Sequence, residues 1–250
     1  MPRNQDKQDN QCNAYNAYNA NYPNAIPIRW IYQYQGSKLY ILTILILIGI
    51  AVGSWIHFNH TGMPISLFVI LLIEFHLSEF IWVSIYHRKT LCWDSFLLNH
   101  SWQYCIVMSF SVVEYIVESI WFPSIKRNSN IMWCGLIASQ FGALLRLIAM
   151  FTAKHNFSHL IASKKLPEHT LVTHGIYYYM RHPGYFAWFW WAIGNQILLL
   201  NPICSVAFAI ISWCIMKDQI QLEETYLIKM FGDDYINYKS KTPTHIPLIP

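Results

Sequence analysis

Apolar residues come in long, nearly unbroken runs, set apart by short polar punctuation. The stretch from Tyr40 to Ile50 reads YILTILILIGI, which no soluble core of this size requires. Apolar runs of roughly 17–25 residues have bilayer-spanning length. Six such runs occur, at about 38–58, 63–86, 99–121, 131–151, 184–200 and 203–217. In hydrocarbon each must satisfy its own backbone hydrogen bonds, so helices are expected; barrel strands would alternate instead. The pattern predicts an all-α polytopic membrane protein with about six transmembrane helices, the last two joined through Asn201-Pro202 as a tight hairpin.

Polar residues inside the runs change this picture in two places. The second run holds Glu74, His76 and Glu79, and the last two share a helix face. Ionisable groups at membrane depth are costly and face protein or a wet cavity, so interhelical bonding and a functional role both stay open here. The third run holds Glu114 and Glu118, four apart, and Arg146 in the fourth is the expected counter-charge.

Charge then sets orientation. The chain is 54% hydrophobic and 12% charged, with a net charge of +4. Lys and Arg flank the runs, while loops 59–62 and 201–202 carry none, which favours both termini in the cytoplasm. Lys126 and Arg127 fall on the other side in this arrangement. The scattered charge forms no basic face, so no nucleic-acid partner is expected. The six cysteines lack a C-x-x-C pair and read as small buried thiols. The polar first thirty residues show no cleavable signal pattern.

Three regions follow. Residues 1–30, rich in Asn, Gln and Tyr, read as a disordered polar cytoplasmic tail. Residues 31–151 hold the first four spans. Residues 152–250 form a catalytic region comprising a polar segment, the helical hairpin 184–217 and a cytoplasmic C-terminal helix. That helix ends at Gly232, followed by a proline-containing extended tail packed against the cytoplasmic face. Within the polar segment Gly175 suits a turn with positive φ, and His182-Pro183 marks the break into the fifth span.

The chemistry concentrates where polar sequence gives way to membrane sequence, across Arg181-His182-Pro183. Histidine spacings between His155 and His182 match no zinc box, so no metal is expected. No G-x-G-x-x-G, Walker loop or G-x-S-x-G is present. What remains is a cytoplasmic pocket built by 152–185 and 218–238. Tyr177, Tyr185 and Trp188 can cover a cation there. Glu223 and Glu224 can hold an amino or ribose group.

These segments resemble the isoprenylcysteine carboxyl methyltransferase family. The resemblance rests on Phe75-His-x-Ser-Glu79, Asp94-Ser-Phe-Leu-Leu-Asn-His-Ser101, Asn156-Phe-x-His159, His169-Thr-Leu-Val-Thr173, Gly175-x-Tyr177, Arg181-His-Pro-x-Tyr185, Asn201-Pro-Ile-Cys204, Glu223-Glu224 and Tyr235, over roughly residues 64–250. It implies S-adenosylmethionine bound by His169, Thr170, Leu171, Val172, Tyr177, His182, Pro183, Gly184, Tyr185 and Glu223. It also implies the endoplasmic reticulum membrane, and prenylated CaaX-processed proteins as partners, their farnesyl or geranylgeranyl tails entering from membrane lipid. The reaction implied is methyl esterification of the prenylcysteine α-carboxylate. A carboxylate is ionised at neutral pH and needs no general base, only placement and loss of its water shell.

The chain departs from the family pattern at Gln219, where an arginine is expected to orient the substrate carboxylate. Gln219 and Glu224 are the expected catalytic residues, with Lys217 as a substitute charge two turns from Glu224 and Trp188 on the substrate side. Ala162 and Ala187 also replace family residues. The Arg-His-Pro-x-Tyr element is shared with phospholipid methyltransferases and sterol reductases, which are the alternative readings, together with a non-catalytic relative.

Overall fold

The structure is a computed structural model that describes residues 37–87, 93–97, 102–159, 161, 162, 165, 167 and 169–249. The expected tail 1–30 and the segment 98–101 lie outside the described residues. All regular structure among the described residues is helical: α1 (Ser37–Thr61), α2 (Pro64–Tyr86), α3 (Trp102–Trp121), α4 (Ser129–Ala153), the single turn α5 (Ile176–Tyr179), α6 (Pro183–Leu198), α7 (Pro202–Phe231) and α8 (Asp233–Lys241). The chain divides into two compact units, one running through Val113 and the other from Glu114 to Pro250.

Among the described residues five helices, rather than the six expected, are long and apolar enough to cross a bilayer: α1, α2, α3, α4 and α7. The expected fifth span is α6, and it has only 16 residues. At 1.5 Å per residue it reaches about 24 Å, short of the roughly 30 Å of hydrocarbon. It stops because Leu200 turns to a φ of 55° and Pro202 starts the next helix. That next helix, α7, is a single rod of 30 residues ending at Gly232, whose φ of 56° suits a helix C-terminus. Residues 233–241, expected to be extended, form α8 with Asp233 and Asp234 in its first turn.

In the first unit α1 and α2 form a hairpin closed at Gly62, where φ is +66°. The hairpin is fastened by His57 Nδ1 and Ser66 Oγ, 2.6 Å apart. Phe80 of α2 stacks on Phe96 with ring centroids 3.8 Å apart. His76 reaches the Phe96 carbonyl (2.9 Å) and the Tyr104 hydroxyl (3.2 Å). His76 within the second run therefore joins chain segments, Glu79 on the same face is fully buried, and Glu74 is exposed.

The second unit is organised by close packing of α4 on α6. Gly135, Ser139 and Gly142 follow a helical stripe on α4, opposite Ala187, Trp191, Gly194 and Leu198 on α6. A Cβ built at Gly142 would lie 2.5 Å from the Trp191 nitrogen and 2.6 Å from the Ala187 carbonyl oxygen; one at Gly194 would lie 2.4 Å from the Ser139 nitrogen. In lipid, such backbone approach supplies the dispersion contact that apolar bulk alone does not. Ala187, which stands where the family pattern has glycine, is fully buried in this contact.

The charge pairing differs from the expected one. Glu118 pairs with Lys126, Nζ to Oε2 at 2.7 Å, rather than with Arg146. Lys126 also donates to the Leu199 and Leu200 carbonyls (both 2.9 Å) and to Asn201 Oδ1 (2.8 Å). Glu114 accepts from the Ile203 and Cys204 backbone nitrogens, both at 2.8 Å, and so caps α7. Lys126, out of place by loop charge, is the latch of the α6–α7 turn. Arg146 instead donates to the Gly184 carbonyl at 3.1 Å and sits 5.0 Å over the Phe157 ring.

The packing predicts a contrast between two glycines. Gly194→Leu should cost about 3 kcal/mol or more, since backbone must move to admit it. Gly53→Leu should be tolerated, because nothing lies within 4 Å of its added Cβ. Monodisperse elution and thermal unfolding of both variants in detergent check this. Equal behaviour would contradict the packing account.

Candidate functional site

The site is built outward from the turn before α6. Pro183 has no N–H to lose and a preset φ, so it suits the first helical position, and it restricts His182 before it. This turn leaves Arg181 and His182 pointing inward, with side chains 3% and 4% exposed. Arg181 Nε donates to Glu224 Oε1 at 2.9 Å. Its Nη1 donates to the carbonyls of Lys239 (3.1 Å) and Thr242 (2.5 Å), and its backbone N–H to that of Pro243 (3.1 Å). One guanidinium thus joins α7, α8 and the C-terminal segment.

Glu224 is fully engaged. Its Oε1 also accepts from the Tyr235 hydroxyl (3.2 Å) and lies 3.3 Å from His182 Nε2, while Oε2 accepts from Lys239 Nζ at 2.5 Å. Its neighbour Glu223 is different. Its side chain keeps 31% exposure and its Oε2 lies 3.7 Å from His182 Nδ1. Adjacent carboxylates on one helix therefore differ in kind: one is locked into the frame, the other is open to a ligand.

The segment 169–172 runs without regular structure alongside. Asn156, just past α4, holds it: Oδ1 accepts from the Thr170 N–H at 2.7 Å and Nδ2 donates to Thr170 Oγ1 at 3.2 Å. The next residue, Phe157, packs where a Cβ at Gly184 would fall, 3.0 Å from its ring. Gly184 is therefore required by close approach. Gly175 has the expected positive φ of 59°, and a Cβ there would meet Thr152 Cγ2 at 2.8 Å. It turns the chain into α5, which carries Tyr177.

The expected residues fall into clear places. Tyr177, Tyr185, His169, Leu171 and Val172 are half-buried; Thr170 is exposed; His182, Pro183 and Gly184 are buried. The His182 and Tyr185 rings lie 5.7 Å apart. Gln219, Glu223, Tyr226 and Met230 make one half-buried stripe on α7. Trp188 is half-buried on α6 and packs with Tyr185 against the cluster of Phe189, Met216, Ile220, Ile246 and Ile249. Lys217 is exposed, its Nζ 5.3 Å over the Trp213 ring. Arg181, Lys239, Tyr238 and Asn156 were given no individual role by sequence. Only the motif positions of Arg181 and Asn156 signalled them.

Electrostatics link the pieces. Burial raises the Tyr177 phenol well above its ordinary value, the Glu223 charge adds to this, and Arg146 opposes it. Burial and then the Glu224 charge raise Tyr235. Tyr238 is pushed up by burial to about 12 against the pull of Arg181, and it donates to the Tyr177 carbonyl at 2.5 Å. The half-buried Tyr177 phenol and the open Glu223 carboxylate thus lie beside the turn, while Tyr235 is buried on Glu224 and Tyr238 donates to the Tyr177 backbone. Such a surface suits a cation bearing hydroxyl and amino groups.

Fold and site define a polytopic membrane protein of helical hairpins with a cluster of polar side chains at one end of α6 and α7. The family model for isoprenylcysteine carboxyl methyltransferases matches residues 135–229, the segment that holds this site. The rat protein-S-isoprenylcysteine O-methyltransferase is 41% identical over 204 residues, 82% of this chain and 69% of its own. That of Saccharomyces cerevisiae is 40% identical over 212 residues, 82% of this chain and 87% of its own. A solved eukaryotic intramembrane Ras methyltransferase of this type superposes with a TM-score of 0.78 at 36% identity, covering 83% of this chain and 74% of that one. The chain belongs to the isoprenylcysteine carboxyl methyltransferase family.

The tyrosines give a pH prediction. Unfolded tyrosine ionises near pH 10, whereas Tyr238 in the fold holds its proton to about 12. Its contribution is therefore complete below about pH 10 and is lost as pH rises toward 12. Unfolding temperature should fall across that window, and Tyr238→Phe should make the fall shallower. An unchanged slope in the variant would contradict the assignment.

Proposed function

We propose that this chain, as a protein-S-isoprenylcysteine O-methyltransferase, takes its methyl group from S-adenosylmethionine. We further propose that it acts on the C-terminal prenylcysteine carboxylate of processed CaaX proteins, at the cytoplasmic face of the endoplasmic reticulum membrane with both termini cytoplasmic. The observation that supports this most directly is the juxtaposition at the α6 entrance. Tyr177, His182, Tyr185 and Glu223 converge there, one to two helical turns from the apolar cluster around Phe189 and Trp188. A polar cofactor and an oily acceptor need such a junction.

In this reading the open Glu223 carboxylate holds the amino or ribose groups of the cofactor. The segment His169 to Val172 supplies backbone groups, and Tyr177 and Tyr185 face the cationic centre. The buried residues His182, Pro183 and Gly184 shape the turn against it. S-adenosylmethionine held by these residues would supply a methyl group activated by its sulfonium charge. The chain's own part is placement and drying, and holding two reactants in register is worth about 7–11 kcal/mol of barrier. Gln219, on the same stripe as Glu223, donates hydrogen bonds to the acceptor carboxylate, and Trp188 lines the path of the prenyl chain. Glu224 acts as a positioning residue, because its oxygens are already held by Arg181, Tyr235, Lys239 and His182. Lys217, two residues before Gln219 and exposed with its Nζ over the Trp213 ring, adds positive charge to this stretch of α7 in the same reading.

The test uses membranes containing the chain, N-acetyl-S-farnesylcysteine and methyl-labelled S-adenosylmethionine. A base-labile labelled ester is expected. Glu223→Gln should weaken S-adenosylhomocysteine binding about 10-fold or more, the worth of a charged hydrogen bond. Gln219→Arg should raise kcat/KM for the farnesylcysteine. Label appearing in phospholipid while the prenylcysteine stays unmodified would overturn the reading.

A further inference from the structure

The turn that carries Tyr177 is α5, four residues long. A helix this short has almost no stability of its own, because nucleation is unfavourable and little propagation follows. Its local bonds run from the Tyr177 N–H to the His174 carbonyl (3.2 Å), Tyr178 to Gly175 (3.1 Å) and Met180 to Ile176 (3.2 Å). Tyr178 and Tyr179 face outward, 70% and 66% exposed, so half of its side chains add little burial. What fixes it comes from the far end of the chain.

Alternate residues of this stretch bond to the C-terminal region. The Tyr177 carbonyl accepts from the Tyr238 hydroxyl at 2.5 Å, and the Tyr179 carbonyl from His245 Nε2 at 3.0 Å. The Arg181 N–H then donates to the Pro243 carbonyl at 3.1 Å. A carbonyl only accepts, so Nε2 of His245 carries a hydrogen. His245 has a φ of 58°, a left-handed conformation that residues other than glycine hold only where their surroundings impose it. That unfavoured backbone is found where an exposed ring reaches across to α5.

Both donors stand on fixed ground. Tyr238 lies on α8, which Tyr235 and Lys239 pin to Glu224. His245 lies between the fully buried Thr244 and Ile246. The Ile246 N–H donates to Thr244 Oγ1 at 3.2 Å, and the Thr244 hydroxyl donates to the Ile249 carbonyl. Ile246 and Ile249 join the cluster of Phe189, Met216 and Ile220, while Trp213 Nε1 donates to the Pro247 carbonyl at 2.6 Å. The segment is thus seated on α6 and α7 and presents His245 to α5 from there. Tyr238 and His245 both lie beyond residues 135–229, the part matched by the family model.

We propose that Tyr238 and His245 are positioning residues of the cofactor site, acting through the backbone of α5 rather than by contact with the ligand. By holding the Tyr177 and Tyr179 carbonyls they set the Tyr177 ring between the charges of Glu223 and Arg146, both of which act on its phenol. The proposal rests on the reading of this site as the one for S-adenosylmethionine. It makes the C-terminal segment a working wall of that site.

Hydrogen exchange of the full chain in detergent, read by mass spectrometry on peptides spanning 174–181, tests the clamp without any ligand. His245→Gly suits the left-handed φ and removes only the ring, and Tyr238→Phe removes only the hydroxyl. Each should speed exchange there about 3-fold or more, the worth of one hydrogen bond, while α4 keeps its rates. His245→Gln, whose side-chain amide donates from nearly the same place, should restore the slow exchange. S-adenosylhomocysteine titrated into the same samples should bind both loss variants about 3-fold or more weakly. His245→Gln and Leu248→Ala, the latter at a position 89% exposed, should bind it like the unaltered chain. The KM for S-adenosylmethionine should rise in the loss variants, with that for N-acetyl-S-farnesylcysteine unchanged. Should Tyr238→Phe fail to fold, His245→Gly against His245→Gln decides alone. Unchanged exchange in the loss variants, or faster exchange with unchanged S-adenosylhomocysteine affinity, overturns the proposal. An unaltered chain that binds no S-adenosylhomocysteine overturns the reading of the site itself, and the proposal with it.

Discussion

The buried pair of Arg181 and Glu224 is the contact on which the rest of the second unit depends. Such a pair is weak evidence for stability, because desolvation consumes most of what attraction returns. Its value here is geometric. Arg181 spends its donors on Glu224 of α7, on the Lys239 carbonyl of α8 and on the Thr242 carbonyl just beyond it, while Glu224 gathers Tyr235, Lys239 and His182. Removing Glu224 leaves the Arg181 guanidinium buried without a carboxylate, which costs about 3–5 kcal/mol, whereas removing Arg181 leaves Glu224 still held by Lys239 and His182. Both members lie beside His182 and Glu223 of the candidate site, so a change in the frame reaches the site as well.

A second constraint acts at the other end of the same helices. α7 is a single rod of 30 residues, so what fixes its start also fixes the level of Gln219 and Glu223. Lys126, Glu118 and Glu114 hold that start against the α6–α7 turn. Between the ends, the glycine stripe brings α4 into backbone contact with α6. The two polar fastenings bracket an apolar middle held by packing. This division suits a solvent in which polar contacts are strong and apolar bulk gives no preference.

Much of this was legible in the sequence, for reasons that can be named. Long apolar runs announced the helices, Gly175, Pro183 and Gly232 marked their boundaries, and the motif residues around Arg181 and Glu223 announced the chemistry. The misreadings share a cause. Apolar composition cannot tell a spanning helix from the 16-residue α6, because Leu199 and Leu200 look helical until the turn after them is seen. Glu118 was paired with Arg146 by span order, whereas Lys126 lies in a loop whose path no local pattern encodes. Glu223 and Glu224 are equivalent in sequence, and only the tertiary fold gives one of them four partners. The C-terminal segment was expected to pack as a tail, but its proline spacing does not show which helix receives it until Trp213 meets Pro247.

The most direct test of this account is the affinity of S-adenosylhomocysteine for Arg181→Met beside the unaltered chain, by titration calorimetry in detergent, with helical content followed in parallel. If the guanidinium organises the ligand face, the unaltered chain binds and the variant shows no measurable binding while its helices persist. Binding by the variant within about 3-fold of the unaltered chain, a difference under about 1 kcal/mol, would contradict it.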